Sequence, residues 1–112
     1  MALFAKQKNE EAISNFRIAI KLLPNEMKAH YNLGIALVTE SKIEEAISHY
    51  KMAIKLKPDF ADAYNNLGNA LLQKGELKEA IDHYRETLKL RPGFVAAQTN
   101  LEIALLRSEE LE

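Results

Sequence analysis

The stretch from Ala61 to Phe94, ADAYNNLGNALLQKGELKEAIDHYRETLKLRPGF, decides the fold once it is laid over the 34 residues before it, MKAHYNLGIALVTESKIEEAISHYKMAIKLKPDF, Met27 to Phe60. Leu67, Gly68, Ala70, Leu71, Ala80, Ile81, Tyr84, Leu90 and Pro92 fall on Leu33, Gly34, Ala36, Leu37, Ala46, Ile47, Tyr50, Leu56 and Pro58. Outward from this pair the register continues, through Leu3, Ala12, Ile13, Phe16, Ala19, Leu22 and Pro24 on one side and Leu101, Ala104 and Leu105 on the other. A fixed period of this length marks helical hairpins that cannot bury their apolar faces alone and so stack on their neighbours.

Within one period the spacing is helical. Ala46, Tyr50, Ala53 and Lys57 follow i, i+4, i+7, i+11, with Ile47 and Ile54 beside the stripe, and nothing alternates with period two. The expected class is all-α, a solenoid of stacked antiparallel hairpins. Each proline ends the second helix of its unit, since it lacks an N–H and restricts the residue before it. Asn25 and Asp59 are expected to cap the helices that follow, with Gly93 a weaker cap in the third case. Between the helices of a unit, Ser41-Lys42-Ile43-Glu44 has capping-box spacing and Lys74-Gly75-Glu76 offers a glycine for a left-handed turn. Gly34 and Gly68 are expected to lie opposite Ala46 and Ala80, where small side chains permit close helix approach.

Composition narrows the function. The 112 residues have a formal net charge of -1, which gives no basic footprint for nucleic acid. There is no cysteine, so disulfides and thiol chemistry are out. No apolar run approaches the roughly 20 residues of a membrane span. The reading is a soluble chain, with the cytoplasm as its expected compartment.

The repeated residues resemble the tetratricopeptide repeat family. Its pattern of an aromatic, Leu-Gly, an alanine, an aromatic, a second alanine and a closing proline is matched by Tyr64, Leu67-Gly68, Ala80, Tyr84, Thr87 and Pro92. One unit earlier it is matched by His30, Leu33-Gly34, Ala46, Tyr50, Ala53 and Pro58, so His30 and Thr87 are the departures. The expected array covers 1–112, with a partial repeat at 1–26, repeats at 27–60 and 61–94, and a capping helix at 95–112. In the partial repeat, Leu3 is assigned to a shortened first helix and Ala12 to Leu22 to the second, leaving Ile13, Phe16 and Ile20 short of cover. The last helix carries Gln98, Glu102 and Glu109 where the third unit has Tyr64, Gly68 and Gly75, a polar stripe expected to meet water. That polarity reads as a natural C-terminal boundary, apart from Leu111-Glu112, which reads as an added remnant.

The resemblance implies that first helices line a concave ligand face. The residues expected there are Lys28, Tyr31, Asn32, Ile35, Val38 and Thr39; then Asp62, Asn65, Asn66, Asn69, Leu72 and Gln73; then Ala96, Thr99, Asn100, Ile103, Leu106 and Arg107. The set is polar with apolar patches and almost uncharged, whereas ordinary surface helices favour Glu, Lys and Arg. Asn32, Asn66 and Asn100 form one column, and a carboxamide can pair with a peptide N–H and C=O together. Helices about 10 Å apart would match roughly three residues of extended chain. Similar ladders occur on some arrays of the family, including the substrate-binding part of O-GlcNAc transferase. A clamp for acidic C-termini is not expected, because the positions that would carry its lysines read Tyr31, Asn65, Thr99 and Lys28, Asp62, Ala96.

Catalysis and cofactors are not expected. His49 and His83 occupy equivalent places on separate hairpins, so convergence on one metal ion is not expected and the histidines read as surface or packing residues. Glu10-Glu11, Glu44-Glu45 and Glu109-Glu110 read as solvated faces, the first two pairs near helix starts. The leading reading is a non-catalytic module that takes an extended peptide or a partner helix. The alternatives are a scaffold that self-associates through its N-terminal end and a segment of a larger enzyme such as a glycosyltransferase.

Overall fold

The computed structural model describes the backbone of residues 3–110 and the side chains of 4–110. Among the described residues there are six α-helices and no strands: α1 (Leu3–Leu22), α2 (Met27–Thr39), α3 (Ile43–Leu56), α4 (Ala61–Lys74), α5 (Leu77–Leu90) and α6 (Val95–Glu110). They group into two compact units divided between Pro58 and Asp59, α1 to α3 and α4 to α6.

In the first unit, α2 packs against both α1 and α3. Leu33, Leu37, Ala46, Tyr50 and Ala53 are buried, and each large apolar side chain removed from water this fully contributes roughly 1.5–3 kcal/mol. In the second unit, α5 packs against both α4 and α6, and Leu67, Ala80, Tyr84, Thr87, Ala97 and Ala104 form the buried set. Thr87 is tolerated where the repeat favours alanine because its hydroxyl donates to the His83 carbonyl at 2.8 Å.

The glycines of the repeat face tyrosine rings. A Cβ on Gly34 would lie 2.6 Å from Cε1 of Tyr50, and one on Gly68 would lie 2.7 Å from Cε1 of Tyr84. The expected alanine partners, Ala46 and Ala80, are fully buried, but the aromatic ring fills the space the glycine leaves.

Helix punctuation differs from the expectation at four places. Pro24 and Asn25 occupy the middle of a turn closed by Glu26 N–H donating to the Leu23 carbonyl at 3.2 Å, and the N-cap of α2 is Glu26, with no side-chain cap. The N-cap of α4 is Phe60, again uncapped, so Asp59 is not the cap. Gly93 lies in the matching turn, where Phe94 N–H donates to the Arg91 carbonyl at 3.1 Å. Proline prefers the second place of such turns and Asn, Asp or Gly suits the third, so turn chemistry has taken these residues from the helix.

Ser41 is not a capping-box residue either; the N-cap of α3 is Lys42, without a side-chain bond. Ser41 has φ +61° and is the only non-glycine with positive φ among the described residues. Its N–H donates to the Val38 carbonyl at 2.9 Å while Lys42 N–H donates to the Leu37 carbonyl at 2.8 Å, the bond pair of a Schellman stop. Gly75, with φ +89°, does the same work at the end of α4, where Glu76 N–H reaches the Leu71 carbonyl at 2.9 Å.

No such stop exists in α1. Leu3 and Ala12 to Leu22 belong to one continuous helix, rather than to two. Gln7 stands where Ser41 and Gly75 stand, and glutamine is a strong helix former with no ease in the left-handed region. Glu10 and Glu11 therefore lie mid-helix, not near a helix start, while Glu44 and Glu45 do occupy the first turn of α3. Ile13 is buried against the expectation, whereas Phe16 and Ile20 are part-exposed. Gln98, Glu102 and Glu109 of α6 are exposed. Leu111 and Glu112 lie outside the described residues.

Candidate functional site

The expected ligand residues are distributed over α2 in the first unit and over α4 and α6 in the second. On α2, Lys28, Asn32 and Thr39 are exposed, Tyr31 and Val38 are part-exposed, and Ile35 is 41% exposed. The Tyr31 ring stands 6.1 Å, centroid to centroid, from the ring of buried Tyr50. Thr39 donates its hydroxyl to the Ile35 carbonyl.

In the second unit the side chains engage one another. Asn100 Nδ2 on α6 donates to Asn69 Oδ1 at 2.9 Å and to Asn65 Oδ1 at 3.4 Å, both on α4. Tyr84 Oη on α5 donates to the same Asn69 oxygen at 2.6 Å. Four side chains from three helices thus form one network, and Asn65 is nearly buried within it. Burial pushes the Tyr84 hydroxyl up to about 12, with the Arg107 charge acting the other way. Asn100 therefore does not simply project outward: its amide nitrogen is turned toward α4 and donates to two side-chain oxygens there.

Around this network lie Asn66 and Leu72, part-exposed on α4, and Gln73, exposed on the same helix. Ile103 is 38% exposed on α6, with Thr99, Ala96, Leu106 and Arg107 also exposed. Leu72, Gly75, Leu77, Arg107 and Glu110 line a shallow depression where α4 ends. At the other end Asp62 is held by Arg91, Oδ1 to Nη1 at 3.5 Å, and Arg91 also lies over the Phe94 ring, 4.1 Å from its centroid.

The histidines hold an arrangement not expected from sequence. His30 and His49 stack with centroids 5.2 Å apart, and their Nδ1 atoms meet at 3.0 Å. Its signal was the 19-residue step that also joins Tyr64 to His83, whose rings lie 5.9 Å apart. Among the described residues no group of three or more His, Cys, Asp or Glu side chains could hold a metal ion, and no helix is long and apolar enough to cross a membrane.

Known proteins agree with the repeat. A TPR repeat model matches residues 2–41 and 36–75, and a tetratricopeptide repeat model matches residues 61–94. No match is found among curated protein sequences. The crystal structure of MamA is similar with a TM-score of 0.88 and 30% identity over 90% of this chain, which spans 59% of that one. The second TPR domain of the human RPAP3 protein, solved by NMR in complex with the HSP70 peptide SGPTIEEVD, gives 0.83 and 29% identity, covering 90% of this chain and 84% of that one. The first TPR of Spaghetti (RPAP3), bound to the HSP90 peptide SRMEEVD, gives 0.89 at 24% identity, covering 95% and 84%, a likeness of fold. With helical hairpins in the 34-residue register and family models spanning residues 2–94, the chain belongs to the tetratricopeptide repeat family.

Proposed function

We propose that this chain is a non-catalytic protein-interaction module and that the α4 and α6 faces of its second unit receive an extended peptide or a partner helix. The observation that carries this reading is the amide network of Asn65, Asn69 and Asn100, bordered by Ile103, Leu72 and Arg107. Such a surface pairs apolar contact with groups that satisfy backbone N–H and C=O, and it carries little charge. The peptide complexes of the two RPAP3 domains support the general role. Their acidic peptides are not the ligand proposed here, because Asn65, Thr99, Asp62 and Ala96 provide no pair of basic side chains. Lys28, Tyr31, Asn32 and Ile35 offer a comparable face on α2 within the first unit.

The test is capture of proteins or a peptide library by the intact chain, followed by identification of what is bound. Ile103→Asp should reduce capture at least tenfold with an unchanged melting curve. Equal capture by the variant would remove the α4 and α6 face from consideration.

Self-association is a second reading, favoured by one observation: Ile18, Leu22 and Leu23 are each more than half exposed near the end of α1. Light scattering across a concentration series separates it from a monomeric module, since a constant monomer mass rules it out.

A further inference from the structure

His30 lies in the aromatic column of the repeat, is 5% exposed and uses both ring nitrogens. Its Nε2 meets the Pro24 carbonyl at 2.8 Å. A carbonyl only accepts, so Nε2 carries the proton and, in the neutral ring, Nδ1 is a bare acceptor. The contact at 3.0 Å with Nδ1 of His49 then requires His49 to donate from that nitrogen. One tautomer of each ring satisfies the whole chain of contacts, from the turn after α1, through α2, to α3.

The remaining nitrogen, His49 Nε2, faces Glu45 Oε2 at 3.6 Å. One added proton fits there without breaking any contact, giving a His49 cation beside a carboxylate. A second added proton has only His30 Nδ1 to occupy, and it would set two N–H groups head to head at the 3.0 Å contact. We propose that the His30–His49 pair is an acid-sensitive latch of the first unit, able to hold at most one extra proton while α2 and α3 stay packed.

The groups that face the pair act on even the first proton. From α1, Arg17 and Lys21 line the same depression as His49 and bring positive charge toward it. Arg17 also takes both oxygens of Glu45, with Nη2 to Oε1 at 3.1 Å, so the carboxylate is shared. From the N-cap of α3, Lys42 acts on Glu45 as well. Burial foremost, with the Arg17 charge acting the same way, pushes His49 down from its ordinary value, and Glu45 opposes this. All of this lies within the first unit, and the second unit has Tyr64 and His83 at the equivalent places, a pair that holds one imidazole.

An unfolded chain protonates both imidazoles as pH falls below about 6.5, while the folded unit accepts at most one proton on the pair. Stability is therefore present above that value and is lost as pH falls. One proton of difference corresponds to about tenfold in the unfolding equilibrium constant per pH unit. The experiment is urea unfolding of the intact chain at several values between pH 7 and 5 with chelator present, comparing wild type with His30→Tyr and His49→Gln, together with nitrogen-detected NMR of the wild-type rings. The wild type should lose more per unit than either variant, the excess approaching about tenfold per unit only below about pH 6, and the folded spectrum should show a protonated His30 Nε2 and a bare Nδ1 at pH 7. The same pH slope in all three proteins, or a folded state at pH 5.5 with both Nδ1 atoms protonated, overturns the latch. If a variant does not fold, the ring protonation pattern of the wild type still decides the matter.

Discussion

The Cβ that Gly68 lacks would sit 2.7 Å from Cε1 of Tyr84, a ring with no solvent exposure. Real side chains do not approach so closely, so the α4–α5 spacing depends on that glycine. Gly68→Ala should destabilise the chain by roughly 1–3 kcal/mol through overpacking, read as a lower urea midpoint with an unchanged slope. Gly34→Ala, against Tyr50, should behave alike.

Ser41 makes the opposite prediction. An L side chain in the left-handed region costs roughly 1–2 kcal/mol, and Ser41 stands there with φ +61°. Ser41→Gly should raise the melting temperature, stabilising by about 1 kcal/mol. Gly75→Ala should lower it by a similar amount, although nothing lies near the added Cβ. Equal and opposite shifts would identify backbone conformation, and not packing, as the cause.

Tyr84→Phe removes the hydroxyl that donates to Asn69 at 2.6 Å. Loss of one hydrogen bond of this kind costs roughly 0.5–1.5 kcal/mol. A larger effect on ligand capture than on stability would tie the hydroxyl to the orientation of the amide network.

Alkaline pH provides a further check. The Tyr84 hydroxyl stays protonated in the folded state until about 12, whereas an unfolded tyrosine ionises near 10. Stability contributed by the protonated form is present below pH 10 and is lost as pH rises through that interval. Ultraviolet titration should show tyrosinate appearing in two stages, the later one coinciding with unfolding and simplified in Tyr84→Phe.

The Arg17–Glu45 pair joins α1 to α3 with both partners more than a third exposed. A double-mutant cycle through Arg17→Ala and Glu45→Ala should give a coupling below about 1 kcal/mol that shrinks in salt.

Much of this architecture was legible because repetition compares the chain with itself. Helix type, the proline stops and the buried stripe all follow from residues that recur every 34 positions. Local choices at single residues were less accessible. Asn25 suits both a helix cap and the third place of a turn, and only the Glu26 to Leu23 bond shows which requirement prevails. Ser41 resembles a capping residue by spacing, yet its backbone copies Gly75. At the ligand face the residue types were readable but their mutual bonds were not, since Asn100 reaches residues of α4 that lie 31 and 35 positions away.

Asn65, Asn69 and Asn100 are already held against one another and against Tyr84 before any partner arrives. Docking there would freeze few additional rotamers, and each such side chain ordered on binding otherwise costs roughly 0.5–1.5 kcal/mol. A surface with so little freedom left to lose rewards a ligand that fits its spacing and gives little to one that does not. Selectivity would then come from geometric rigidity in a face that carries almost no charge.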